Sequence, residues 1–331
     1  MGDTMTRRIC ILYTGGTIGM EQGERGWRPA PSFAALTDRL HPGLRNGAEV
    51  LEYSPLLDSA NAGPDVWYRL GRDIRALAAD YDGFVVIYGT DTLCYVAASL
   101  SFQLAGTGIP VAVTGAMVPM VADGSDGGAN LGLALKTVTA MADGPAAQRG
   151  VSVCFNGRVI HGARARKLMA HEMDAMRDAA ALLEGQPGPQ TAIAAPGHAS
   201  LPPVAETAPA PTVALLTLHP GIGLHADSLF AVPPQGLIVE CFGSGTGPTA
   251  DAGLVRLLNR LRDGGTVMMA VSQCLHGSIA FDTYEAGAAF ADAGVIAGGH
   301  MTREAALTKL HLTLSLGLGR DVLAQDWVGE M

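Results

Sequence analysis

Arg8-Ile-Cys-Ile-Leu-Tyr13 runs straight into Thr14-Gly-Gly-Thr-Ile-Gly19, and Gly83-Phe-Val-Val-Ile-Tyr88 runs into Gly89-Thr-Asp-Thr92. Each is a short, almost continuous apolar run ending in a glycine-threonine turn. A run without polar alternation suits a strand buried on both faces, as in a parallel sheet covered by helices. Two more such runs follow, Pro110–Thr114 and Gly150–Phe155. Between the first two, Val66, Trp67, Leu70, Ile74, Leu77 and Ala78 recur at helical spacing within Pro64–Asp80, and Pro64 suits a first helical turn. Residues 92–105 and 128–142 have similar helical character. Strands alternating with helices in this way predict an α/β fold.

The alternation pauses at 185–211, a stretch dense in Pro, Ala and Gly that reads as a linker. It resumes with strands near 213–218, 236–242 and 266–271 and helices near 251–263 and 301–317. The expectation is two α/β domains with mainly parallel sheets. A larger, flavodoxin-like domain spans 1–184, and a smaller α/β domain spans 212–331. A chain of 331 residues has about the length of two domains.

Composition narrows the function. With 48% apolar and 16% charged residues the chain is too hydrophobic to be disordered. A net charge of −9 argues against nucleic acid, whose phosphates require clustered Lys and Arg. The basic clusters Arg7-Arg8 and Arg164/Arg166/Lys167 are shorter than a membrane-binding polybasic tract. No apolar stretch reaches the roughly 18 residues of a membrane span, and Ile9–Tyr13 is too short for a signal-peptide core. Cys10, Cys94, Cys154, Cys241 and Cys274 are odd in number and lack C-x-x-C spacing, so they read as reduced thiols of a cytoplasmic protein.

In an open parallel sheet, ligands bind beyond the carboxyl ends of the strands. The turns to inspect are therefore Thr14–Gly19, Gly89–Thr92, Thr114-Gly115-Ala116-Met117 and, shortly after, Ser125-Asp126-Gly127. One such turn alone reads as a helix cap. Two glycine-threonine turns in one domain point instead to a hydroxyl nucleophile, and a threonine hydroxyl needs a base to activate it. Arg does not serve as a base, whereas a Lys amine can be tuned to accept a proton. Against 19 Arg the chain has three Lys. Lys136 and Lys309 fall in helical patterns and read as surface or capping residues. Lys167, in the irregular stretch Gly162–Lys167, is the candidate. His161 and His171 read as structural or surface residues, and Gly243-Ser-Gly-Thr-Gly247 as a loop. No G-x-S-x-G, Walker A or H-E-x-x-H pattern is present, so neither a metal nor another cofactor is implied.

These residues carry a pattern that resembles the bacterial L-asparaginases, specifically the cytoplasmic type I branch. The match runs through Tyr13–Met20, Glu52–Ser59, Asp82–Leu93, Val113-Thr-Gly115 and Leu307-Thr-Lys-Leu-His311. The resemblance implies that Thr17 is the nucleophile and that Thr90, Asp91 and Lys167 form a Thr-Lys-Asp relay. It implies that Ser59 and Asp91 grip the α-carboxylate and α-ammonium of the substrate, with Asp58, Thr90 and Ala116 also in the binding set. The implied reaction is hydrolysis of L-asparagine to L-aspartate and ammonia through an acyl-enzyme, by a homodimer or homotetramer.

Three positions depart from the family pattern. Trp27 stands where a tyrosine of the flexible N-terminal loop is expected, Tyr88 where a histidine precedes Gly-Thr-Asp-Thr, and Ser59-Ala-Asn-Ala62, with Asn61, replaces Ser-x-Asp-Met. Indole has a donor and no acceptor, so Trp27 is no proton relay. The departures open two alternatives, an amidohydrolase for a different or N-substituted asparagine-like amide, and a catalytically weak protein that binds aspartate or asparagine.

Overall fold

The structure, a computed structural model, describes residues 7–180, 191–193, 198–281 and 285–331. The first domain is built on a six-stranded sheet of β1 (Ile9–Gly15), β4 (Glu49–Leu57), β5 (Gly83–Ile87), β6 (Val111–Thr114), β7 (Val151–Phe155) and β8 (Arg158–His161). Their spatial order is β4-β1-β5-β6-β7-β8. All pairings are parallel except β7 with β8. The parallel strands thus run in the flavodoxin-like order 2-1-3-4-5, and the order reverses between β1 and β5. A sheet of that order offers a ligand crevice at the carboxyl ends of these two strands, where the two glycine-threonine turns lie.

The apolar runs became strands because helices cover both faces. Every residue of β1, β5, β6 and β7 is buried. α2 (Pro64–Leu77) and α3 (Leu93–Gln103) share one core with the sheet, and α4 (Gly127–Asp143) shares another. Two elements before β5 have weaker sequence signals. α1 (Phe33–Leu40) is a short helix capped by Ser32. β4, with Glu49, Glu52 and Pro55, is the edge strand, where charge and a missing N–H are tolerated. Between them and β1, β2 (Met20–Gly23) and β3 (Gly26–Pro29) form a hairpin.

After β8 the chain forms a separate two-stranded ribbon, β9 (Ala165–Lys167) against β10 (Met176–Asp178). Lys167, expected in irregular chain, is therefore the last residue of a strand; three residues are too few to show a period. Part of the expected linker, 185–190 and 194–197, lies outside the described residues. Its described part packs on the first domain, with Ala192 bridging to Val151 and Val204 buried.

The smaller domain is an all-parallel sheet of β11 (Val213–Thr217), β12 (Gly236–Cys241), β13 (Val267–Ser272) and β14 (Ile296–Ala297) in sequential order. α5 (Ala252–Asp263), α6 (Glu285–Asp292) and α7 (Arg303–Ser315) complete it. α7 packs along α3, so the largest core cluster draws on both domains. Lys309 on α7 corrects the expectation of a surface lysine: it is 0% exposed, ion-paired with an equally buried Glu330.

Candidate active site

The turn after β1 is shaped by glycine. Gly15 and Gly16 have φ of +126° and +95°, a region that side chains rarely adopt. A Cβ on Gly15 would stand 2.5 Å from the Leu57 carbonyl oxygen, and one on Gly16 would stand 2.9 Å from the Gly89 nitrogen. The turn is therefore seated against the end of β4 and against the turn after β5. Thr17 opens the short 3-10 helix Thr17–Gly19 directly behind this contact, half-buried, with no side chain capping the amides of its turn.

The other turns close on the same spot. Gly89 lies against Ser59, since a Cβ there would stand 2.3 Å from Ser59 Oγ. Thr92 Oγ1 donates to the Ser59 carbonyl at 2.8 Å, which ties the 3-10 turn Ser59–Asn61 to the start of α3. Gly115 sits against the Tyr88 carbonyl, and its neighbour Ala116 is buried. The sequence reading thus named residues from four turns that the fold does gather.

Lys167 reaches the site from the ribbon. Its Nζ donates to Thr90 Oγ1 at 3.0 Å and to Asp91 Oδ1 at 2.8 Å. Thr90 is buried, the Asp91 carboxylate is 67% exposed, and the Lys167 side chain is 19% exposed. The amine therefore bridges a sheltered hydroxyl and an open carboxylate. Such an arrangement can move a proton to or from Thr90 while Asp91 holds the amine in place. A cavity of about 480 Å3 opens beside it, lined in part by Asp91, Tyr95, Arg166, Lys167, Arg303 and Glu304. Burial pushes the Glu304 carboxyl above its ordinary value, against the pull of Arg166.

The remaining expected residues make no hydrogen bond to Lys167, Thr90 or Asp91 among the described residues. Asp58 is exposed and engaged within its own turn, accepting from Ala60 N at 3.1 Å and Asn61 Nδ2 at 2.8 Å. Trp27 lies on the β2–β3 hairpin and is 48% exposed. Tyr88 is a buried phenol, pushed up to about 12 by burial, and so stays neutral. His161 is buried and His171 exposed, and Gly243–Gly247 is a turn closed by a bridge from Phe242 to Thr246.

Sequence reasoning missed the support beneath the third turn. Asp126 accepts from the amides of Met117 and Val118 at 3.1 Å. Asn130 Nδ2 donates to the Gly115 carbonyl and to Asp126, both at 3.0 Å, and its Oδ1 accepts from Asn156 N. The Ser125-Asp126-Gly127 turn was legible, whereas Asn130 gave no signal inside a helical pattern. Among the described residues no cluster of three or more His, Cys, Asp or Glu gathers as a metal site requires, and no helix is long and apolar enough to cross a membrane.

Comparison with known proteins gives this geometry its setting. The family model "Asparaginase, N-terminal" matches residues 8–184 and "Glutaminase/Asparaginase C-terminal domain" matches 212–325. The chain is 35% identical to L-asparaginase 1 of Escherichia coli (strain K12), with 98% of each chain covered. L-asparaginase I from Vibrio cholerae superposes with a TM-score of 0.77 at 32% identity, over 98% of this chain and 99% of that one. The thermostable L-asparaginase from Thermococcus kodakarensis superposes with a TM-score of 0.80 at 26% identity, again over 98% and 99%.

Proposed function

The chain belongs to the asparaginase family and is an amidohydrolase, and from that premise we propose that it hydrolyses the side-chain amide of L-asparagine with Thr17 as nucleophile. Thr17 Oγ attacks the amide carbonyl and its hydroxyl proton is passed to the amide nitrogen, so that the C–N bond breaks, ammonia leaves and a β-aspartyl ester forms. Water then attacks the ester carbonyl; its proton passes to Thr90 Oγ1, whose own proton moves to the Lys167 amine that Asp91 orients, and as the ester C–Oγ bond breaks the relay returns a proton to Thr17 Oγ and L-aspartate is released. Ser59 holds the α-carboxylate and Asp91 the α-ammonium, with Asp58 and Ala116 completing the binding set. In this mechanism amides of the glycine-rich Thr17 turn stabilise the developing oxyanion, a role worth about 3–4 kcal/mol per donor in other hydrolases.

The observation that carries this reading is the bridge from Lys167 Nζ to Thr90 Oγ1 and Asp91 Oδ1, beside the turn that bears Thr17. Its logic is that of a nucleophile supported by a proton-accepting group that a third residue orients. The test is ammonia release from L-asparagine, L-glutamine and D-asparagine, run beside Thr17→Ala. Release from L-asparagine that disappears in the variant is the expected result. Release that persists in Thr17→Ala overturns the nucleophile, and no release from any amide despite tight aspartate binding favours a binding protein.

A second reading, an N-substituted or larger asparagine-like amide, is supported by the solvent-facing Trp27 on the hairpin that follows Thr17. Turnover on L-asparagine that rises sharply in Trp27→Tyr favours it, and unchanged turnover counts against it. We further assign catalysis to residues 1–184, a linking role to 185–211 and a second α/β domain to 212–331, with the whole chain acting as a homodimer or homotetramer. Five free thiols, four of them buried, support a reducing cytoplasm.

A further inference from the structure

Leu307-Thr-Lys-Leu-His311 on α7 has no part in the reaction just described, yet its lysine organises a distant piece of chain. The Lys309 amine meets the Glu330 carboxylate and the Gln325 carbonyl, with the Trp327 ring 5.0 Å away. Glu330 also accepts from the amides of Trp327 at 3.1 Å and Val328 at 2.8 Å. Asp326 Oδ1 accepts from the amides of Gly329 at 2.7 Å and Glu330 at 3.2 Å. Residues 326–330 are thus wound around two carboxylates and pinned to α7 by one buried cation.

This segment reaches the first domain through two carbonyls. His161 Nε2 donates to the Val328 carbonyl at 2.8 Å, and Arg164 Nη1 donates to the Gly329 carbonyl at 3.5 Å. The second ring nitrogen, His161 Nδ1, accepts from Ala163 N at 3.2 Å. An imidazole that donates from one nitrogen and accepts at the other is neutral. Burial, reinforced by the Arg164 charge, agrees by holding it down at about 4. The ring therefore clamps the turn 161–164, closed by Arg164 N to the His161 carbonyl at 3.0 Å, onto the segment. Arg164 Nη2 extends the clamp to Asp178 Oδ2 on β10 at 2.9 Å.

β9 starts at the next residue and ends at Lys167. It is three residues long, pairs only with β10 among the described residues and lies outside the six-stranded sheet. A two-stranded ribbon holds its place poorly by itself and needs an outside brace. We infer that Asp326–Glu330, acting through His161 and Arg164, is a positioning element for Lys167, fixing where β9 delivers the amine between Thr90 and Asp91. The inference rests on the role proposed for Lys167 above.

The experiment compares steady-state kinetics and the pH profile of kcat for His161→Leu, His161→Gln, Arg164→Gln and Lys167→Met, with circular dichroism to establish folding. A misplacement of about 1 Å in a reacting group lowers turnover by up to about 100-fold. His161→Leu is expected to lose about 10- to 100-fold in kcat, with KM within about twofold and a displaced limb of the pH profile. His161→Gln, which keeps an N–H donor, recovers part of that loss. Arg164→Gln, which gives up the guanidinium link to Gly329 and Asp178, shows the same split to a smaller degree and serves if His161→Leu does not fold. Folded His161→Leu or Arg164→Gln with kcat and pH profile unchanged, while Lys167→Met is inactive, overturns the positioning role alone. Wild-type turnover in Lys167→Met overturns the lysine's own role and the inference with it.

Discussion

Gly89 shows how little room the site leaves at single residues. Its missing Cβ is the space that Ser59 Oγ occupies, 2.3 Å from where that carbon would stand. Gly89→Ala must therefore displace Ser59, whose carbonyl is tied to Thr92, before any other group is disturbed. We expect Gly89→Ala to keep its fold and to raise KM for L-asparagine at least about tenfold, which corresponds to roughly 1.4 kcal/mol of lost binding. Initial-rate kinetics measure it, and an unchanged KM removes Ser59 from the binding set. The sequence marked Gly89 as a turn residue. Which side chain fills its vacant position is a contact across 30 residues of chain and left no local trace.

Between elements, α4 carries the load under the third turn. Asp126 and Asn130, 6% and 1% exposed, hold the amides and carbonyl of the Gly115–Val118 loop and, through Asn156, the turn between β7 and β8. Asn130→Leu keeps the branched skeleton of the side chain and deletes both bonding groups. It leaves the Gly115 carbonyl and the Asn156 amide without these partners, at about 1–3 kcal/mol each. The expected loss in urea unfolding is thus about 2–6 kcal/mol, with kcat reduced as the loop loosens; a loss under about 1 kcal/mol means that water or other groups replace the amide. Elements with a clear local signal, the continuous apolar runs of the buried strands and the helical spacing of α2, were legible to within a few residues. β4, the hairpin and the β9–β10 ribbon were not, because edge position and strand shortness erase the period that betrays burial.

The molecule as a whole is joined where α7 packs on α3 and where the segment around Glu330 is pinned. Removing one partner of a buried ion pair leaves the other charge uncompensated, which costs about 3–5 kcal/mol. Lys309→Met is expected to lose stability on that scale, and Lys309→Met/Glu330→Leu to regain a good part of it, as read from denaturant midpoints. Equal losses in the single and double variants would mean that the segment itself, and not the stranded charge, is what matters. The same interface makes stability depend on pH. His311 on α7 is 7% exposed, set edge-on to Trp67, and burial pushes it down to about 4. In the unfolded chain an imidazole titrates near 6.5, so below that value the unfolded state binds the extra proton and gains. The contribution of His311 is complete above about pH 6.5 and is lost as the pH falls towards 4. His311→Gln is therefore expected to lose less stability than the wild type between pH 7 and pH 5 in urea titrations. Parallel losses would exclude His311 as an acid-sensitive group.

Local order decided what could be read in advance. Continuous apolar runs, helical spacing and glycine-threonine turns are properties of neighbouring residues, so the α/β class, the parallel sheets and the candidate turns follow from the chain alone. The sequence also singled out Lys167 by its chemistry, as one of three lysines among many arginines. Only the tertiary structure decided that a three-residue strand carries that amine to Thr90 and Asp91, 77 and 76 positions away. It also decided that Lys309, in an unremarkable helical pattern, is sealed beside Glu330. Both outcomes depend on which distant surfaces exclude water from which charge, and that is settled when the domains pack.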